Sequence, residues 1–303
     1  MSGSRRSRSF LRGVSSPPQA AKCVRTILRM EHHLEIYNYF MITKSTEFHN
    51  EVAQKYEKEY QTPYWILYHE VSWEHIKKYL PKDKNLPILD AGGGTGYWSR
   101  KLAELGYNVV CSDIAEKMLD VGRKIVEKTP LAEKIDFVVS DITDMNEFKD
   151  DSFSMVLAEG DPVGYCGNPQ KAVKELARVT RKGGAIIVSV DSLFSAIGRN
   201  VGDKKFDQLP KLLETHTSQF LERYPQYNFS VDELRDLYSR NNISIDSVIG
   251  KTVFTRFVPA DKVDELLSDE SFYKQILELE LKFNSEPSII GLAGHLEIAG
   301  MKK

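Results

Sequence analysis

The feature that most restricts how this chain can fold is a glycine run between an apolar segment and an amphipathic one. Residues 86–91 (LPILDA) predict a short buried strand, residues 92–96 are Gly-Gly-Gly-Thr-Gly, and 97–105 carry apolar side chains at helical spacing. Glycine permits a sharp turn and lets a ligand approach the main chain without a Cβ clash, and the following helix begins with unpaired N–H groups. This order predicts a ligand site at the carboxyl end of a strand.

Strands and helices continue to alternate over the next hundred residues. Short apolar runs predict further strands at 107–113, 135–141, 153–160 and 185–190. Amphipathic patterns predict the intervening helices at 115–128 and 168–180. Apolar strands separated by helices of this length indicate a parallel sheet with right-handed crossovers, covered by helices on both faces.

Two more amphipathic helices are predicted before this alternating core. Apolar residues recur every four positions across 48–60. A second helical stripe consists of Ile66, His69, Trp73, Ile76 and Leu80. Both patterns are typical of helices that pack one face against a core.

Residues 192–240 interrupt the alternation and are predicted to form a helical insertion after the fifth strand. Its apolar stripe consists of Phe206, Leu209, Leu213, His216, Phe220 and Tyr224. The chain then resumes with a strand at 243–254, a helix at 261–283 and a last strand, HLEIAGMK. We therefore expect a basic extension over 1–45 and one α/β domain over 46–303. Within that domain we expect entry helices (46–80), a ligand-binding core (86–191), the insertion (192–240) and C-terminal elements (241–303).

Composition excludes several classes of protein. Of the 303 residues 41% are hydrophobic and 28% charged, as in a globular protein of one or two domains. No apolar run approaches the length of a membrane span, so no integral membrane segment is expected. The widely spaced Cys23, Cys111 and Cys166 form neither a disulfide framework nor a zinc motif, and no metal site is predicted.

Charge is distributed unevenly along the chain. Residues 1–30 hold seven basic and no acidic side chains, which leaves 34 basic and 43 acidic side chains in residues 31–303. The acidic body argues against a nucleic-acid partner. The Ser/Arg-rich start is either a transit peptide or a stretch that precedes a true start at Met30 or Met41. We expect a cytoplasmic protein, or a mitochondrial or plastid matrix protein if the extension is a transit peptide.

Three acidic residues are predicted to line the crevice at the glycine turn. Asp90 precedes the turn, Asp113 ends the second strand, and Asp141 ends the third, followed by the apolar Ile142. A dinucleotide site would place a glycine where Tyr97 stands. Three acids suit a ligand with a ribose, an amine and no phosphate.

These segments resemble the class I S-adenosylmethionine-dependent methyltransferases, and within them the small-molecule and quinone-type enzymes. The resemblance rests on ILDAGGGTG, VVCSDIAEKML, VVSDITDM, ELARVTRKGG and the earlier VAQKYEKEY. It implies a Rossmann-like sheet of seven mostly parallel strands whose last strand is antiparallel. It also implies S-adenosylmethionine as cofactor, held by Tyr56, Asp90, Gly92, Gly94, Gly96, Asp113, Ile114, Met118, Asp141, Ile142 and Glu159.

The sequence gives weaker signals for the acceptor and for a catalytic base than for the cofactor. Glu159 after the fourth strand and His216 on the insertion are the two candidates for a base. We expect in-line transfer of a methyl group to a small-molecule acceptor. An RNA or protein acceptor and a nonenzymatic assembly factor remain alternatives, although no Asn/Asp-Pro-Pro-Tyr motif follows the fourth strand.

Overall fold

A computed structural model of the chain describes residues 41–303, in which seven strands form the central sheet. The strands are β1 Ile88–Ala91, β2 Val109–Asp113, β3 Ile135–Val139, β4 Phe153–Ala158, β5 Thr180–Asp191, β6 Thr217–Phe220, β7 Tyr224–Tyr227, β8 Ile243–Lys251 and β9 His295–Lys302. The sheet order is β3-β2-β1-β4-β5-β9-β8, and β6 and β7 form a separate hairpin. Since β9 pairs antiparallel with both neighbours and the other central pairs are parallel, the predicted fold class is confirmed.

Helices cover both faces of this sheet. They are α1 over 41–59, α2 Pro63–Ile76, α3 Tyr97–Glu104, α4 Glu116–Val126, α5 Pro162–Tyr165, α6 Pro169–Val179, α7 Leu193–Gly202, α8 Leu209–Thr215, α9 Val231–Arg240, α10 Val263–Leu267, α11 Glu270–Phe283 and α12 Pro287–Ile290. Across residues 41–303, no helix combines the length and apolar character that crossing a bilayer demands.

Successive side chains of each strand point to opposite faces of the sheet and so belong to two different apolar clusters. Leu89 belongs to the cluster that α6 and α9 cover, whereas its neighbour Ile88 belongs to the cluster that includes Trp98 of α3 and Ile76 of α2. Successive side chains of a strand point to opposite faces, so a strand buried on both sides reads as a continuous apolar run. This explains why the short apolar runs were sufficient to predict the parallel strands.

The insertion is not helical throughout, and this part of the prediction is wrong. Helix α8 ends at Thr215, His216 takes a left-handed conformation with φ 53°, and β6 and β7 form an antiparallel hairpin. The predicted stripe continued to Tyr224, but Pro225 follows it, and proline is incompatible with a helix interior. Residues 217–227 therefore form a hairpin that packs against α1 and α5 instead of a surface helix.

Three smaller predictions also need correction. Ile66 is 38% exposed, because α2 turns Tyr68, Ser72 and His75 toward the sheet instead. The helix predicted over 261–283 is broken before α11. The boundary at 45/46 falls inside α1, where Met41 is only 3% exposed. The predictions for residues 1–40 lie outside the described residues.

Packing of α4 against β3 supports the glycine turn and can be tested at Gly122. An added Cβ there would lie 2.5 Å from Phe137 Cε1 and 2.7 Å from the Thr95 carbonyl oxygen. Overpacking of this kind outweighs the helix propensity that alanine gains, so we expect Gly122→Ala to lower the free energy of unfolding by about 1–2 kcal/mol. Urea unfolding measures the change.

Gly202 of α7 is the matched control, since an added Cβ there meets nothing within 4 Å in residues 41–303. We expect Gly202→Ala to be neutral or to stabilise by up to about 1 kcal/mol. A Gly122→Ala protein as stable as the Gly202→Ala protein would contradict the packing described.

Candidate functional site

The glycine turn has a backbone that other residues adopt only with strain. Gly92, Gly94 and Gly96 have φ angles of 71°, 57° and 79°, in the left-handed region that favours glycine. A Cβ on Gly92 would also lie 2.4 Å from Pro162 Cβ. No side chain therefore covers the main chain of the turn at the carboxyl ends of β1 and β4.

Asp90 lies behind this turn and not in the crevice where the sequence placed it. Its side chain is fully buried, and Oδ2 accepts hydrogen bonds from Ser99 N at 3.0 Å and Ser99 Oγ at 2.6 Å. Burial raises the pKa of Asp90 to about 6, although Ser99 opposes the rise. Through Oδ2, Asp90 fixes the start of α3 and positions the turn, while Oδ1 has no hydrogen-bond partner among the described residues.

A cavity opens at the carboxyl ends of β1 to β4, and its volume is about 810 Å³ including its mouth. Most of the residues predicted to bind a cofactor line it. These are Tyr56, Gly92, Gly94, Asp113, Ile114, Met118, Asp141, Ile142 and Glu159. Asp90 and Gly96 are the predicted residues that do not line it.

Asp113 is held at the cavity wall by backbone donors. Its Oδ2 accepts from Gly94 N at 2.9 Å, and its Oδ1 accepts from Ala115 N at 2.8 Å. Burial raises the pKa of Asp113, and the Ala115 N–H and the nearby His49 oppose that rise. Each carboxylate oxygen retains acceptor capacity, so the pair is suited to two neighbouring hydroxyl groups of a ligand.

An aromatic wall faces the turn, and sequence reasoning missed most of it. His49 of α1 lies with its ring centroid 5.8 Å from that of Tyr165 and 5.9 Å from that of Tyr224. Tyr56, two helical turns further along α1, packs 4.8 Å from Tyr60, which directly follows the helix. The four-residue recurrence in 48–60 was the available signal, but it did not reveal which side of α1 meets the hairpin.

Glu159, immediately after β4, contributes a buried residue to the cavity wall. Its side chain has no exposed surface, Oε2 lies 3.1 Å from Lys251 Nζ, and Oε1 has no hydrogen-bond partner in the described part of the chain. Burial, followed by the charge of Glu297, raises the pKa of Glu159 to about 8. A buried, half-satisfied carboxyl group in a cavity is a candidate for binding a cation or moving a proton.

Lys251 and Glu297 were not predicted as site residues. Lys251 Nζ also lies 2.7 Å from Glu297 Oε2, and neither side chain is exposed. Burial alone would lower the pKa of Lys251, but the two carboxylates raise it. The sequence contained only a weak signal, since Glu297 stands between two apolar residues of β9 and Lys251 follows the apolar residues near the end of β8.

The second candidate base, His216, lies outside the cavity. It ends α8, and its Nδ1 lies 2.7 Å from Glu233 Oε1, where both side chains are partly exposed. Glu233 also closes the capping box of α9 with Ser230. His216 therefore joins two surface helices, and the structure does not support it as a base.

Comparisons with known proteins agree with the geometry. A family model described as a methyltransferase domain matches residues 88–184, from β1 into β5. The tRNA 5-carboxymethoxyuridine methyltransferase of Escherichia coli (strain K12) is 21% identical over 84% of this chain and 95% of that protein. The demethylmenaquinone methyltransferase of Clavibacter sepedonicus is 39% identical over 33% of this chain and 39% of that protein.

A solved structure shares the fold. A SAM-dependent methyltransferase from Methanosarcina mazei superposes with a TM-score of 0.54 at 20% identity, covering 75% of this chain and 96% of that chain.

The cavity fits S-adenosylmethionine, a cation without phosphate. The bare main chain at Gly92 and Gly94 leaves room that a Cβ would fill. The Asp113 carboxylate suits ribose hydroxyls, and the unpartnered Glu159 oxygen suits a positive or hydrogen-donating group.

Asp113 offers the most direct test of this fit. Asn in place of Asp113 would set its NH2 group, which cannot accept, against one of the two backbone N–H donors. It would also remove the negative charge that strengthens hydrogen bonds to hydroxyls. Since a hydrogen bond to a charged group contributes about 1.5–3 kcal/mol, we expect affinity for S-adenosylmethionine to fall by about 10- to 100-fold. Calorimetric titration measures it, and Asp120→Asn, an exposed carboxylate on α4, is the control. Equal affinities in both variants would count against the assignment.

Proposed function

Since the chain belongs to the class I S-adenosylmethionine-dependent methyltransferases, we propose that it methylates a small acceptor with an aromatic or apolar body. The observation that carries this proposal is the wall of rings that lines the cavity beside the glycine turn. Tyr60, Tyr97 and Tyr165 line the cavity together with His49 of α1. Such a wall suits a compact planar or apolar molecule, because ring faces stack on it and water is excluded.

The cofactor is proposed to lie along the carboxyl ends of β1 to β4. Asp113 would hold the ribose hydroxyls, Asp141 and Ile142 the adenine, and the main chain at Gly92 the amino-acid end. When bound, the cofactor supplies a methyl group on a positively charged sulfur, whose loss leaves a neutral thioether. Since the donor is already activated, the main task of the protein is to orient the acceptor.

Glu159 is proposed as the base that takes the acceptor's proton. Its side chain is fully covered in the empty cavity, so this role requires the residues beside it to move when the acceptor binds. The ionised carboxylate balances the positive charge of the donor, and it becomes neutral on taking the proton as that positive charge disappears. The buried site therefore holds no additional net charge before or after transfer, which matters because uncompensated charge in an apolar cavity is costly. A pKa of about 8 for Glu159 also lies near the range in which a general base is effective.

A nucleoside acceptor is the second candidate. The similarity to the tRNA-modifying enzyme spans 84% of this chain, whereas the similarity to the quinone-type enzyme spans 33%. A nucleobase flipped out of an RNA would stack on the same rings. The acidic surplus of residues 31–303 disfavours a phosphate-tracking surface, so we rank the small molecule first.

A labelling experiment separates the two acceptors. We incubate the protein with methyl-labelled S-adenosylmethionine and either a metabolite extract or total RNA from the same cells, with Asp113→Asn as the negative control. We expect label in the low-molecular-mass fraction only, identified by mass spectrometry. Label in RNA, absent from the control, would replace the small-molecule proposal with the nucleoside one.

Substitution of Glu159 tests its role as a base. We expect Glu159→Gln to lower kcat by about 10²- to 10⁴-fold, the usual contribution of a positioned base. In the wild type, kcat/KM is expected to rise with pH toward about 8, because the base must lose its proton, and Glu159→Gln should abolish that rise.

The matched control is Glu280, another buried carboxyl group. Burial raises the pKa of Glu280 to about 7, and its Oε1 accepts from Phe254 N, away from the cavity. Glu280→Gln should leave kcat and its pH profile unchanged. A Glu159→Gln enzyme with wild-type kcat would rule out the base.

A further inference from the structure

Two arginine side chains meet on one buried hydroxyl group outside the cavity. Ser195 Oγ accepts a hydrogen bond from Arg256 Nη1 at 2.7 Å and another from Arg199 Nη1 at 3.1 Å. Ser195 lies in the first turn of α7 and is 1% exposed, whereas both arginines are exposed. An added Cβ on Gly198 would lie 3.2 Å from Arg256 Nη2, so this guanidinium group lies close against α7. The structure therefore holds two positive charges side by side at the surface.

The two arginines come from different parts of the sequence and meet at one edge of the sheet. Arg199 belongs to α7, which follows β5 directly. Arg256 belongs to the 3₁₀ turn Phe254–Phe257, which follows β8. The last residues of β5 and β8 both pair with His295, the first residue of β9. The segments that leave these two strands therefore start beside each other, and the sheet topology fixes the arginine pair.

Neither arginine of the pair forms an ion pair within residues 41–303. Arginines elsewhere in that range do have carboxylate partners, as Arg100 Nη2 lies 2.8 Å from Glu57 Oε2. Asp203 follows Arg199 by one helical turn, but its Oδ2 lies 3.8 Å from Lys205 Nζ. The two neighbouring guanidinium charges are thus left without a carboxylate to compensate them.

Asp191 at the end of β5 does not neutralise the pair either. Gln226 Nε2 donates to Asp191 Oδ2, and Asp191 Oδ1 lies 3.4 Å from His295 Nδ1. Burial, followed by the charge of Arg199, lowers the pKa of Arg256. Arginine nevertheless stays protonated in proteins, so both positive charges persist and repel each other. An anion bound between them would remove this repulsion.

The charge and the donors of the pair indicate which anion fits. A guanidinium group has five N–H donors, and each arginine uses one of its nitrogens at Ser195. A phosphate monoester carries about 1.5 to 2 negative charges near pH 7 and three strong acceptor oxygens. Its charge matches two arginines, whereas a carboxylate or a sulfonate supplies a single charge. Arginine also suits phosphate because its planar fork can donate two parallel hydrogen bonds.

We propose that Arg199 and Arg256 bind the phosphate group of a small phosphate monoester. Ser195 positions the two guanidinium groups, and their remaining N–H groups contact the phosphate. Neither arginine lines the cavity, so the site is separate from it and does not depend on the proposed function. Two guanidinium groups take one phosphate and not a row of them, in keeping with the acidic surplus of residues 31–303.

Titration with two small anions tests the site. Methyl phosphate and methanesulfonate have nearly the same shape, but at pH 7.5 the first carries about two negative charges and the second carries one. Calorimetry is performed with saturating S-adenosylhomocysteine, so that the cofactor part of the cavity is filled. We expect the wild type to bind methyl phosphate about 10-fold more tightly than methanesulfonate, the lower end of what one charge-assisted hydrogen bond contributes.

Substitutions assign the binding to the arginine pair. We expect Arg199→Gln and Arg256→Gln each to weaken methyl phosphate binding by about 10-fold. Arg256→Lys keeps the charge but not the planar fork and should restore only part of the affinity. Methyl phosphate should also raise the Tm of the wild type more than that of Arg256→Gln, because a ligand stabilises the folded state that binds it.

Arg235→Gln is the matched control, since Arg235 is an exposed arginine of α9 whose Nη1 lies 3.7 Å from Asp232 Oδ1. It should bind methyl phosphate as the wild type does. Equal affinity of the wild type for the two anions, no binding of methyl phosphate at about 10 mM, or an equal loss in Arg235→Gln would overturn the site.

A second measurement separates a free phosphate compound from a phosphate carried by the methyl acceptor. Because neither arginine lines the cavity, we expect labelling of the metabolite extract to survive treatment of that extract with a phosphatase. Loss of label after the treatment would place the phosphate on the acceptor and would overturn the separation of the two sites. No label in the untreated extract would overturn the proposed function, while the methyl phosphate titration would still decide the arginine site.

Discussion

The buried ammonium group of Lys251 holds several elements of the structure together. It accounts for the contacts of Glu159 after β4, Ser189 of β5, Glu297 of β9 and Ser72 of α2. A buried charge is tolerated only where partners surround it, so these elements must be in place together. The same contacts of Lys251 therefore hold β9 in the sheet and position Glu159 beside the cavity.

Two carboxyl groups lie at different places in the cavity wall and have different partners. Asp113 lies beside the glycine turn, where backbone N–H groups hold its carboxylate in place. Glu159 lies at the end of β4, with one oxygen bound to Lys251 and the other without a partner among the described residues. A cation with a ribose at one end matches this arrangement, whereas a pyrophosphate would be repelled. Electrostatics thus favours the methyl donor over a dinucleotide, in agreement with the spacing of the glycines.

The family model matches the central part of the chain but not all of the residues that line the cavity. The matched methyltransferase domain, residues 88–184, contains the glycine turn and the acidic residues that line the cavity. The rings of His49, Tyr56 and Tyr60, which also line the cavity, lie outside that range, and the β6–β7 hairpin packs against His49. Function commonly varies through such added segments while the scaffold is retained. Since Tyr97 and Tyr165 lie within the matched range, the ring-lined wall of the cavity is built from both parts of the chain.

The sequence alone determined the succession of strands and helices along the core, the glycine turn and the positions of Asp113, Asp141 and Glu159 at strand ends. These features depend on local patterns, since periodicity and turn chemistry act over a few residues. Only the tertiary structure decided that Asp90 turns inward, that 217–227 form a hairpin, and that His75 meets Glu297. That last pair is separated by 222 positions. Contacts of this kind depend on where β9 enters the sheet, which no local pattern specifies.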